Sequence, residues 1–84
     1  MSNLIEIDLL ILDSNGIAIK NINVRTKYTN GTSLKDEKTN NFGHRIVSAS
    51  SNKKIEIYVE DPNGEMEFNK TLNSTSASTQ VSIN

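Results

Sequence analysis

The sequence predicts an all-β domain, a small antiparallel β-sandwich of about seven strands. Composition is the first reason: twelve asparagines, ten isoleucines and ten serines, against one proline and three alanines, disfavour long helices and suit strands broken by turns. The second is that apolar residues recur at every other position in several segments, the period of an extended chain. The third is that clusters of Asn, Asp and Gly separate those segments every eight to twelve residues. One open sheet of this size would leave its apolar face wet, so two sheets packed face to face are expected. A small, partly closed barrel is the structural alternative, because periodicity does not tell a closed sheet from two stacked ones.

Ile5, Ile7, Leu9 and Ile11 alternate through a first strand from about Leu4 to Leu12, and Asp13-Ser14-Asn15-Gly16 then supplies the acceptors and the positive-φ residue of a turn. After the short Ile17-Ala18-Ile19 segment, a second strand sets Ile22, Val24, Thr26 and Tyr28 against the wetter Asn23, Arg25 and Lys27. Asn30-Gly31 suits a type I′ hairpin, so Thr32 to Lys38 is expected to pair back on the second strand. With Leu34 as its single large apolar residue, that strand belongs at an edge, where Lys35 and Lys38 discourage association with other edges.

Asn40-Asn41-Phe42-Gly43 turns into a short fourth strand, Arg45-Ile46-Val47, and Ser48 to Asn52 reads as a polar linker. Ile55, Ile57 and Val59 mark a fifth strand, alternating with Glu56, Tyr58 and Glu60 and closed by Asp61-Pro62-Asn63-Gly64. Met66, Phe68 and Leu72 are expected on one face of a sixth, with Glu65, Glu67 and Asn69 opposite. A Ser/Thr linker, Asn73 to Ser78, precedes a last strand, Thr79 to Asn84, which offers Val81 and Ile83.

Eighty-four residues, 35% of them apolar, allow one domain (residues 1–84) with a thin core. Its stability is expected to be about 4–8 kcal/mol. A net charge of −1 without a basic stripe argues against nucleic acid. The absence of cysteine removes disulfides and thiolate metal sites. The apolar cluster Leu9 to Leu12 follows Glu6 and Asp8 with no basic leader, so it reads as neither a secretory signal nor a membrane span. The chain is therefore expected to start in the cytoplasm and to have no membrane partner, any export being leaderless or as part of something else.

His44 is the only histidine, so a Ser-His-Asp relay or a multi-histidine zinc site would have to grow around it alone; a polar residue opening a strand is the simpler account. Asp13, Asn15, Asp61, Asn63 and Glu65 could offer calcium ligands from two turns, although Asp and Asn serve their own backbone in such places. Glu56, Glu60, Glu65 and Glu67 could include the carboxylate pair of a glycosidase, but their parity opposite the apolar residues makes them a solvated face. Four aromatic residues without tryptophan form a poor carbohydrate platform. No phosphate-cradling or dinucleotide fingerprint is present, and no catalytic, cofactor-binding or metal-binding residue is assigned.

Leu4, Leu10 and Leu12 carry the parity opposite to Ile5, Ile7, Leu9 and Ile11. Either a bulge or local packing under Ile17 and Ile19 absorbs them, which is the favoured reading, or they form an apolar stripe for a partner. Leu10, Leu12, Tyr28, Phe42 and Tyr58 are the candidate partner-binding residues, and an exposed patch around Leu10, Leu12 and Tyr58 would mark docking.

The run from Asp13 to Val24 resembles the opening of prealbumin-like domains, the transthyretin-like or carboxypeptidase regulatory-like β-sandwiches, in which a D-x-x-G turn precedes a small apolar step and then N-[VI]-x-V. Thr39-Asn40-Asn41-Phe42-Gly43-His44 is similar to their T-[DN]-x-x-G-x turn. Ala18 stands where proline is usual there, and Asn40 where aspartate is commoner. The resemblance implies an Ig-like or transthyretin-like sandwich. It implies no 5-hydroxyisourate hydrolase, because the histidines and the Tyr-Arg-Gly-Ser ending of those enzymes are missing. It further implies a non-enzymatic module at the N-terminus of a longer protein, docking a bacterial effector to a type VI secretion spike. The rivals are a spacer in a surface or phage-tail protein and a cell-wall glycan binder.

Overall fold

The structure, a computed structural model, describes residues 4–75 and 78–83. Its strands in chain order are β1 (Leu4–Leu12), β2 (Asn23–Tyr28), β3 (Glu37–Lys38), β4 (His44–Ser50), β5 (Lys54–Glu60), β6 (Met66–Asn73) and β7 (Ser78–Ser82). They form two sheets, ordered β4-β1-β7 and β3-β2-β5-β6, and the molecule is the expected small β-sandwich. From the first sheet Ile7, Leu9, Ile11, Val47, Ala49 and Val81 meet Val24, Ile55, Ile57 and Val59 of the second, each at most 3% exposed. Burial of each of the larger of these side chains contributes about 1.5–3 kcal/mol, which is the main force closing the sandwich. The ladders are antiparallel except one: β7 lies beside β1 in parallel, from Asp8 opposite Ser78 to Leu12 opposite Ser82.

One turn is used repeatedly. In Asn40–His44 the Asn40 N–H donates to the His44 carbonyl (2.8 Å), the Gly43 N–H returns to the Asn40 carbonyl (3.1 Å), and Asn40 Oδ1 accepts the Phe42 and His44 N–H groups. Asp13 and Asp61 build the same arrangement toward Ile17 and Glu65. The backbone bonds recur between Tyr28 and Thr32, which overturns the type I′ expectation for Asn30-Gly31. Only Gly31 of that dipeptide has positive φ, so the loop holds three residues, Thr29, Asn30 and Gly31. The chain returns in a different register, and the expected strand from Thr32 to Lys38 shrinks to a bridge at Ser33 and the two residues of β3.

Three further expectations are corrected. Ser48 to Asn52 is not a linker as far as Ser50, because β4 continues opposite β1 and Ala49 enters the core. In β6, Tyr58 faces Phe68 while Ile57 faces Lys70, which makes Asn69 the extra residue of a bulge. The bulge reverses parity. Leu72 packs inward, whereas Phe68 stands outward and 55% exposed. The Ser/Thr linker is likewise shorter than expected, since Asn73 ends β6 and Ser78 opens β7; residues 76 and 77 lie outside the described part. Ser74 within it is fully buried, donating to the Ser50 carbonyl and accepting the Lys53 N–H.

Thr39, 4% exposed, donates its hydroxyl to the Ile19 carbonyl (2.8 Å) and accepts the Ile22 N–H (3.1 Å), tying the segment after β1 to the start of β4's turn. Thr39→Val keeps the shape and leaves both backbone groups unpaired. It is expected to cost about 1–3 kcal/mol, read as a lower urea midpoint at unchanged slope.

Candidate functional site

β1 pairs with β4 without a break from Leu4 to Leu10, so no bulge re-aims its leucines. Leu10 and Leu12 therefore share the outer face of the three-stranded sheet with Glu6 and Asp8. Next to them, β4 places His44 opposite Leu10, Ile46 opposite Asp8 and Ser48 opposite Glu6. Ile46 is 55% exposed and Leu4 70%, while Leu10 and Leu12 are half-buried. Phe42, at the tip of the turn entering β4, is 76% exposed.

Tyr58 does not join this group. It sits on the opposite outer face, where it meets Phe68 edge-to-face at 5.6 Å, lies 4.9 Å under the Lys27 ammonium and donates its hydroxyl to Glu56. The expected patch around Leu10, Leu12 and Tyr58 is thus divided between two faces. Tyr28, half-buried, acts as a strut. Its hydroxyl accepts the Ser50 N–H at 2.9 Å, joining β2 to β4 across the sandwich, and that bond lowers the phenol's pKa by favouring the phenolate.

His44 opens β4, as its place after Gly43 implies, and its Nδ1 lies 2.9 and 3.1 Å from the two carboxylate oxygens of Asp8. The pair stands at an open cleft of about 540 Å³, lined by Asp8, His44 and Ile46 from one sheet and Glu37 and Lys38 from the other. A histidine held by a carboxylate is two-thirds of a hydrolytic relay. The third part is a nucleophile, and among the described residues no hydroxyl is hydrogen-bonded to this imidazole.

Arg45 is the residue that sequence reasoning missed. It points inward, 5% exposed, with Nη1 near Thr26 Oγ1 (3.4 Å), Nη2 donating to the Lys35 carbonyl, and Nε unbonded 3.8 Å from a Glu37 oxygen. Burial lowers its pKa, and the nearby charges of Glu37 and Asp36 oppose that effect. From outside, Arg25 forks onto Asp36 at 2.9–3.1 Å, which raises the Arg25 pKa. Two guanidinium groups thus grip residues 35–37 from opposite sides where the strand ladder is short. The one available signal was parity, since Arg45 shares it with Val47 and Ala49.

Asp13 and Asp61, the best calcium candidates, each spend Oδ1 on two turn N–H groups. Among the described residues no three acidic or histidine side chains converge. No family model matches the chain, and no curated protein matches it. The resemblance to prealbumin-like domains rests on Asp13–Val24 and Thr39–His44 alone.

Proposed function

We propose that this domain is a non-catalytic docking module that engages a protein partner at the β4 side of its three-stranded sheet. The carrying observation is the cluster of Leu10, Leu12 and the 55% exposed Ile46 on one outer face, with Phe42 beside its margin. A histidine–carboxylate pair without a hydroxyl fits a binding role better than hydrolysis. The setting, attachment of a secreted bacterial effector to a type VI spike, is carried only by the resemblance of Asp13–Val24 and Thr39–His44 to prealbumin-like domains. The edge-to-face Tyr58–Phe68 pair presents no flat stacking surface, which disfavours glycan.

The test is calorimetric titration of the domain with the purified spike protein encoded in the same genome. Binding is expected, with Leu10→Asp weakening it at least tenfold, about 1.4 kcal/mol, while Thr71→Asp on the other sheet leaves it unchanged. No heat from a folded wild-type domain would return the molecule to the spacer role.

A further inference from the structure

In an antiparallel ladder, residues that exchange both hydrogen bonds with the partner strand alternate with residues whose N–H and C=O point the other way. In β4 the even-numbered residues point away from β1. The His44 groups are taken by Asn40, the Ser50 N–H by the Tyr28 hydroxyl, and the Ser50 carbonyl by Ser74. Between these closed ends lie Ile46 and Ser48. Their N–H and C=O groups face an open edge, and among the described residues none is hydrogen-bonded.

The other edges are blunted. β3 has two residues, and β6 carries the Asn69 bulge. On β7 the Gln80 and Ser82 carbonyls are capped by Lys70 Nζ and Asn69 Nδ2, each at 2.9 Å. β4 instead borders a cleft of about 300 Å³, lined by Leu34, Lys35 and Glu37 on one side and by Arg45 to Ser48 on the other.

We infer that β4 is an acceptor edge on which an extended segment of a partner protein adds as a further antiparallel strand, through four backbone hydrogen bonds to Ile46 and Ser48. The inference rests on the docking reading and names its partner chemistry. The surroundings fix the segment's side chains. A residue opposite Val47 enters the cleft against Leu34 and is apolar. The residue opposite Ile46 covers that exposed side chain and is apolar too. The residue opposite Ser48 lies past a small side chain from the exposed Glu6, and a basic group there complements it. Read along the partner, the pattern is basic-apolar-apolar.

The probe is an acetylated, amidated pentapeptide, Thr-Lys-Val-Val-Thr, added at millimolar concentration to the labelled domain and followed by amide exchange and chemical shift. In the free domain the Ile46 and Ser48 amides are expected to exchange rapidly and those of Arg45, Val47 and Ala49 slowly. Peptide should slow Ile46 and Ser48 at least tenfold. The same peptide N-methylated at Lys and the second Val should abolish that protection, and the variant Ser48→Pro, which has no amide at 48 and removes a donor that β1 does not use, should abolish it at Ile46. Protection confined to β6, or none at Ile46 and Ser48, would overturn the assignment. Spike binding without this protection would sink the edge and spare the docking reading; protection without spike binding would do the reverse.

Discussion

Gly43→Ala is expected to remove about 2–4 kcal/mol, close to half of the stability a chain of this size holds. Gly43 is buried at φ +82°, a conformation that costs a side chain about 1–2 kcal/mol. A Cβ there would also stand 2.8 Å from the Ala18 Cβ and 3.2 Å from the Ile19 nitrogen. Neither neighbour is a flexible tip, so relief requires movement of the segment after β1, and overpacking of this kind costs about 1–3 kcal/mol. Gly31→Ala separates the two causes. Its φ is +96° but its Cβ would meet nothing within 4 Å, so the conformational part alone is expected. Urea midpoints decide the matter; equal losses at the two glycines would show that the Ala18 contact has no energetic weight.

Leu9→Ala is expected to cost about 3–5 kcal/mol and to leave little folded protein at 37 °C. Leu9 is fully buried in the central strand of the three-stranded sheet, and small shifts of β4 or β7 cannot refill the space without breaking their ladders with β1. Its neighbour makes the control. Leu10 faces outward and half-buried, and Leu10→Ala should cost roughly 1 kcal/mol or less. Thermal melts of the two variants check the alternation of β1 directly, since comparable losses would contradict it.

Where long apolar side chains alternate, the fold could be read from the residues. Ile7, Leu9 and Ile11, Val24, and Ile55, Ile57 and Val59 are all in the core that their parity predicts. The second half of β4 escaped because Ser48, Ala49 and Ser50 are too small to carry a hydropathy signal, and it is pairing with β1 that holds them extended. Phe68 was misplaced because one unpaired residue, Asn69, changes the face of everything before it, and no composition cue marks that position. Of the candidate contact residues, Leu10 and Leu12 were legible as a parity anomaly. The inward turn of Arg45 carried only the parity it shares with Val47 and Ala49, and the bare edge beside Ile46 was not legible, since it depends on which strand becomes β4's neighbour, a long-range choice.

The parallel seating of β7 on β1 sets how the molecule bears tension. The chain enters β1 at Leu4 and leaves β7 at Ser82, at opposite ends of that pair. A pull between those points loads the five paired positions sideways and together, whereas an antiparallel pair pulled from its open end would peel one rung at a time. Stretched from both sides, the domain should therefore resist until the whole seam slips at once.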